Sequence, residues 1–182
     1  MNRTSLDACD AASYAGVERW CLGEALEADA VAINHYVVAP GERIAGLHAH
    51  ADQEEVFVVL SGEATFETLD GKRTVGEGAV VRFAPGEFQS CANQADERLV
   101  VLAVGAPAGT DELRVPVACH DCEAETMALE FAAGAERLVC PDCDAERTPE
   151  CSDCGGDELR AELVDGRPAS VCQVCGATTP AR

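Results

Sequence analysis

HAHADQEEVFVVLSG (His48–Gly62) carries the densest chemical information in the chain. It opens with two histidines at positions i and i+2. Successive side chains of an extended segment point to opposite faces, so the imidazoles of His48 and His50 share one face. Glu55 follows at the start of an apolar run that ends at Gly62. Two imidazoles and a carboxylate make a mixed nitrogen/oxygen set that suits Fe, Mn, Ni, Cu or Zn. Glu54 is the alternative carboxylate, and Glu55 is preferred because it sets the interval to Gly62. The competing reading is a pair of ordinary strand histidines in a polar pocket.

Outward from this stretch the chain reads as short strands. VAINHYVVA (Val31–Ala39), VFVVLSG (Val56–Gly62), ATFETL (Ala64–Leu69), AVVRFA (Ala79–Ala84) and RLVVLAV (Arg98–Val104) are β-branched or alternating. Asp70-Gly71 predicts a type I′ hairpin turn, and further glycines punctuate the rest. Strands at this spacing predict an all-β sandwich or barrel. His35 lies on one of them and is read as a barrel residue that could line the same cavity. Phe57, Phe66, Phe83 and Phe88 are read as core or pocket wall.

Gly41, His48, His50, Glu55 and Gly62 follow the order Gly, spacer, His-x-His, Glu, Gly, and Gly78, Gly86 and Asn93 follow the order of a second motif. The pattern resembles the cupin family. The resemblance covers roughly residues 30 to 104 and implies a double-stranded β-helix, a jelly-roll barrel, over residues 1–110. It also implies a barrel metal held by His48, His50, Glu55 and the residue at position 89. Three departures stand out. The first spacer is one position longer than usual, Ala84 replaces a proline beside Pro85, and Gln89 replaces the third histidine. A Gln carbonyl oxygen ligates more weakly than imidazole and makes the site harder, with less affinity for soft metals.

After APAGTDEL (Ala106–Leu113) and a stretch read as a linker at 111–118, the composition changes. Cys119-His120-Asp121-Cys122 is followed, across the interval 123–139, by Cys140-Pro141-Asp142-Cys143. Cys151-Ser152-Asp153-Cys154 is followed, across the equal interval 155–171, by Cys172-Gln173-Val174-Cys175. The second unit thus repeats the spacing of the first. Each Cys-x-x-Cys can turn two thiolates toward one point, and four close a tetrahedral shell for zinc or iron. Between the pairs, TMALEF and ERLV flank a bend at Gly134, and ELRAELV and RPASV flank Asp165-Gly166. This resembles the zinc-ribbon family and implies two structural zincs. One is held by Cys119, Cys122, Cys140 and Cys143 in 119–143. The other is held by Cys151, Cys154, Cys172 and Cys175 in 151–175. Rubredoxin-type iron and a pairing of Cys140/Cys143 with Cys151/Cys154 are the alternatives. His120 is read as a solvent-facing knuckle residue, and Cys9, Cys21 and Cys91 as buried or partly buried thiols.

The formal net charge is −20, from 33 acidic and 13 basic residues, of which only Lys72 is a lysine. The excess is spread along the chain. It resembles the composition of proteins from salt-accumulating halophilic archaea, where molar salt screens self-repulsion. Hydrophobic residues make up 47%, which opposes disorder. The aromatic share is 4%, so aliphatic side chains must build most of the core. No apolar run is long enough to span a membrane and the N-terminus lacks the apolar core of a signal peptide, so a cytoplasmic protein is expected. Direct nucleic-acid binding is not expected, because phosphate contacts need Lys and Arg.

Two function classes follow. One is a metal-dependent small-molecule enzyme, dioxygenase-like, with its metal at His48, His50, Glu55 and Gln89 and no further catalytic base identifiable. The other is a non-catalytic sensor of a small ligand or metal, with the ribbons as a docking surface for a protein partner. The cupin resemblance implies a homodimer in either case.

Overall fold

The computed structural model describes residues 1–110, 112–132 and 135–181. The first ten strands are β1 (Ala12–Tyr14), β2 (Val17–Cys21), β3 (Ala32–Val38), β4 (Ala49–His50), β5 (Glu54–Ser61), β6 (Glu63–Thr68), β7 (Gly71–Gly76), β8 (Val80–Phe83), β9 (Ser90–Ala92) and β10 (Leu99–Ala106). A short helical turn, α1 (Leu22–Ala25), interrupts them. A six-stranded sheet in the order β1-β2-β3-β10-β5-β8 closes against a three-stranded sheet β7-β6-β9. This is the all-β jelly roll that the sequence predicts.

Alternation builds the core. Along β10, Leu99, Val101 and Ala103 are buried while the residues between them are only partly so. They join Val38, Val59, Phe57, Phe66 and Phe83 in one cluster between the sheets. The three phenylalanines pack with ring centroids 5.3, 6.0 and 5.5 Å apart. With so few aromatics in the chain, this trio is its main aromatic anchor. Gly62 turns the chain between β5 and β6 at φ 83°, and a Cβ there would lie 2.6 Å from the Arg98 carbonyl oxygen. Asn93 is fully buried and its amide donates to the Val38 and Glu97 carbonyls at 2.9 and 2.7 Å.

The β6–β7 turn differs from the expected type I′. The closing pair is Thr68↔Gly71, and within the turn only Gly71 has positive φ. The Thr68 hydroxyl accepts from the Asp70 N–H and donates to the Gly71 carbonyl, and this local bonding outweighs the Asp-Gly preference. Asp165-Gly166 does form the expected turn, with φ of 52° and 76° and Val164↔Arg167 as the closing pair.

Beyond the barrel come β11 (Leu113–Val115), β12 (Met127–Ala132), β13 (Ala135–Val139), β14 (Glu146–Arg147), β15 (Leu159–Val164), β16 (Arg167–Cys172) and β17 (Thr178–Pro180). The stretch read as a linker therefore contains a strand. β11 pairs with β12 on one side and with β4 of the barrel on the other. The resulting sheet runs β14-β13-β12-β11-β4, and β15-β16-β17 form a separate sheet. The bend expected at Gly134 lies outside the described residues. Among the described residues no helix is long and apolar enough to cross a membrane.

Candidate metal centres

His48 and Gln89 are direct cross-strand partners. The His48 N–H donates to the Gln89 carbonyl at 3.0 Å and the Gln89 N–H donates back to the His48 carbonyl at 2.8 Å. Such a pair sends both side chains to one face. His50 shares that face, and Glu55 enters from β5 opposite Gly105. The ligand atoms of His48, His50 and Glu55 lie within 4.8 Å of one another. His50 Nε2 is 3.3 Å from Glu55 Oε2. The two imidazoles meet edge to face, centroids 5.0 Å apart. Glu54 points the other way and pairs with Arg82 on the outer surface.

His48 Nδ1 donates to the Gly46 carbonyl at 2.7 Å, which leaves the Nε2 lone pair facing the cavity. Burial pushes this imidazole below its ordinary value, and the neighbouring His50 pushes the same way against the Gly46 bond and Glu55. It is therefore neutral near pH 7, the form that binds metals. Gln89 Nε2 sits 3.2 Å from His48 Nε2 and donates to Glu55 Oε2 at 2.7 Å. The amide thus cross-links two of the candidate ligands through its nitrogen. A half-turn about its terminal bond would present the oxygen instead.

These groups open onto a cavity of ≈ 330 Å³. Its wall adds Arg19, Asn34, Tyr36, Gln53 and Cys91. None of these was singled out from the sequence as a cavity residue. Asn34 and Tyr36 alternate on β3, which was the available signal. Their direction depends on how the barrel closes. The Arg19 guanidinium donates to Cys21 Sγ at 3.2 and 3.0 Å, a weak acceptor that leaves the cation free for a stronger one. Burial raises the Tyr36 phenol well above its usual range and pushes the Cys91 thiol up to about 12, so both stay protonated. His35 does not reach this cavity. It is buried edge-on to Trp20, centroids 5.3 Å apart.

The eight tail cysteines gather into two groups of four. Cys119 Sγ is 3.7 Å from Cys143 Sγ, and Cys122 Sγ is 3.5 Å from Cys140 Sγ. The corresponding separations in the second unit are 3.7 Å (Cys151–Cys175) and 3.6 Å (Cys154–Cys172). A disulfide needs about 2.05 Å. A tetrahedron with metal–sulfur bonds of about 2.3 Å has edges of about 3.8 Å, so these thiols fit one ion each. The alternative pairing of Cys140/Cys143 with Cys151/Cys154 does not occur.

Tight turns shape the knuckles. Asp144, Gly155 and Gly176, each following the second cysteine of a pair, have φ of 59°, 71° and 76°. Burial opposes ionisation of Cys140, but hydrogen bonds from the Asp142 and Cys143 backbone and from the neighbouring thiols bring it down to about 7. At the equivalent Cys172, the Cys175 and Val174 backbone outweigh burial with the same result, about 7. His120 is exposed. Cys91 is buried, and Cys9 and Cys21 are partly so.

Two imidazoles at and just before one short strand, a carboxylate from the next and a glycine-bounded barrel around them invite comparison with known proteins. Residues 34–105 match the cupin domain family. Solved cupin structures superpose on more than this domain. A cupin-superfamily sugar phosphate isomerase from Silicibacter pomeroyi aligns over 85% of this chain and 99% of its own, at 20% identity and a TM-score of 0.63. A putative sugar phosphate isomerase from Acidithiobacillus ferrooxidans aligns over 72% and 83%, at 24% identity and 0.54. An oxalate decarboxylase from Lactobacillus farciminis, in a formate complex, aligns over 58% and 33%, at 18% and 0.52. At these identities the likeness shows the cupin fold alone. No curated protein matches the chain in sequence.

Proposed function

We propose that this protein is a metal-binding cupin that acts on a small anionic molecule, with two structural zincs in its four-cysteine units. The observation that carries the reading is the convergence of His48, His50 and Glu55 within 4.8 Å at the wall of a cavity. The donor set fits a divalent cation. His48 is neutral with its lone pair inward, and the Glu55 carboxylate supplies negative charge. Gln89 joins as a fourth ligand once its amide oxygen faces in. A cation there would supply Lewis acidity. The protein groups do the rest. Arg19 attracts the anionic end of the ligand, and protonated Tyr36 and Cys91 offer hydrogen bonds without acting as bases.

Elemental analysis tests this directly. Wild type should carry two zincs and one further divalent metal, and His48→Ala should lose only the latter. An unchanged metal count in the variant would remove the barrel site. Oxygen uptake with catechols, thiols and keto acids then tests the dioxygenase-like version. Absence of turnover with any metal would favour the sensor. One observation already favours that second reading: Gln89 presents a donor, not a lone pair, to His48 and Glu55.

The cysteine units fit structural zinc because all four donors come from the chain and no position is left for a substrate. Units this small rely on metal for their folding energy.

A further inference from the structure

The strand that carries His50 does not belong to either barrel sheet. β4 is very short, and among the described residues its strand partner is β11, with Leu113↔His50 and Arg114↔Ala49. The Ala51 N–H continues this pairing to the Glu112 carbonyl at 3.0 Å. β11 in turn pairs with β12, the first hairpin strand of the first four-cysteine unit. His50 therefore sits on the edge of that unit's sheet.

The other unit holds the residues just before His48. The Leu47 N–H donates to the Ala161 carbonyl of β15 at 2.7 Å, and the Leu47 side chain is fully buried. Gly46, whose carbonyl fixes the His48 imidazole, lies flush against the same hairpin. A Cβ at Gly46 would stand 2.8 Å from Arg160 Cγ and 3.0 Å from the Ala161 oxygen. Arg43 ties the start of the loop to both sides, to Glu67 at 3.0 Å and to Glu162 at 3.4 Å.

We propose that the two four-cysteine units are positioning clamps for the His-x-His segment: the first unit sets His50 through β11, and the second sets His48 through Leu47, Gly46 and Ala161. Metal loading of the units thereby controls whether the barrel site is assembled. This rests on the reading of the barrel as a metal site, but the ordering of residues 43–50 stands independently of it. The physical reason is where the backbone partners lie. The barrel binds this short segment at Ile44, His48 and His50 through Cys91, Gln89 and Gly86, while the Leu47 and Ala51 N–H groups find their partners, among the described residues, only in the two units, and a ligand misplaced by about 1 Å loses binding.

The test uses the full-length protein in three forms: wild type, Cys172→Ser/Cys175→Ser, and Gly46→Ala. The last keeps every cysteine and pushes the second unit off the loop, so it reports even if the double variant folds poorly. Two readouts are taken. Hydrogen exchange of residues 43–50 should quicken at least tenfold in both variants while β10 stays protected. Manganese, which avoids all-thiolate sites, should bind the barrel at least tenfold more weakly, with an altered EPR line shape. Exchange at 43–50 that matches wild type in a Gly46→Ala protein, or in a double variant lacking one zinc, would overturn the clamp. Faster exchange with undiminished manganese affinity would overturn its control of the metal site. If wild type takes up neither manganese nor any other divalent metal beyond those of the two units, the barrel metal reading fails, and the exchange rates alone judge the clamp.

Discussion

The four-cysteine units and the barrel centre solve the same problem, gathering candidate ligand groups around a point, in opposite ways. Each unit draws its four thiols from two knuckles joined by one hairpin, so its geometry is almost entirely local. The barrel draws His48 and His50 from a loop and short strand, Glu55 from β5 and Gln89 from the residue before β9 that pairs with His48. The units are closed by their own ligands, and the barrel site opens on a cavity. Local closure would make a unit depend on the ion proposed for it. Long-range assembly makes the barrel site depend on whatever holds its strands in register.

The sharpest way to break this contrast is to remove one thiol. Cys140→Ser should lower the zinc content by one per chain and expose the β12–β13 hairpin to rapid hydrogen exchange. Structural zinc contributes about 10–16 kcal/mol to comparable small units, so this is the largest effect expected. A hairpin that stays protected without its metal would show that packing around Met127 and Leu138, not ligation, holds it.

The second largest effect lies where barrel and second unit meet. The Glu67 side chain is fully buried between Arg43 at 3.0 Å and Lys72 at 2.6 Å. Burial raises its carboxyl, but the two cations outweigh that and leave it below its usual value. Glu67→Ala leaves Arg43 with only its longer Glu162 contact and Lys72 partly exposed without a partner, and should cost about 2 kcal/mol of barrel stability in urea unfolding. The sign with pH follows. The Glu67 contribution is full above the unfolded carboxylate value and is lost as pH falls through its lower folded value. Wild type and variant should therefore converge in acid. Glu162→Ala removes the longer Arg43 contact and a less buried one to Arg160 at 2.7 Å, and should cost about 1 kcal/mol.

The contrast also explains what could be read in advance. The thiol clusters were legible because the interval between paired knuckles is the length of one hairpin, and the repeat of that spacing argued for the pairing. His48, His50 and Glu55 were legible because they fall close together in sequence and obey strand alternation. Gln89 lies far along the chain from His48 and came only through the second motif. Arg19 and Tyr36 stayed hidden because their facing depends on barrel closure. The clamps were invisible for a deeper reason. The contacts of Leu47 with Ala161 and of Ala51 with Glu112 run through backbone atoms that nearly every residue owns, so no residue type marks them. β11 escaped for a related reason: so short a strand after a Pro/Gly-bearing stretch carries no usable periodicity.

Changing the amide sharpens the barrel half of the comparison. Gln89→His restores a third imidazole at a position already paired with His48. It should raise affinity for zinc or nickel by about tenfold, measured by competition titration, and leave the metal content of the cysteine units unchanged. Equal affinity in wild type and variant would mean that the side chain at position 89 stays away from the metal, with the Gln89 nitrogen bonded to His48 and Glu55 in the loaded state too.

The smallest effect comes from a histidine that belongs to neither site. His35 is buried against Trp20, its Nδ1 lacks a hydrogen-bond partner among the described residues, and burial pulls its imidazole below the ordinary value. The folded state thus prefers it neutral. Its stabilising contribution is complete above the unfolded value of about 6.5 and declines as pH falls toward the lower folded value. Protonation must then either force a cation into the core or unfold it. Because Trp20 is the only tryptophan, its emission follows this part of the barrel. A His35→Gln protein should lose up to one proton's worth of slope in stability below pH about 6.5, read from unfolding curves at successive pH values. An identical slope in the variant would assign the acid sensitivity there to His48 instead, and so make the open barrel site, not its packed wall, the acid-labile part of the molecule.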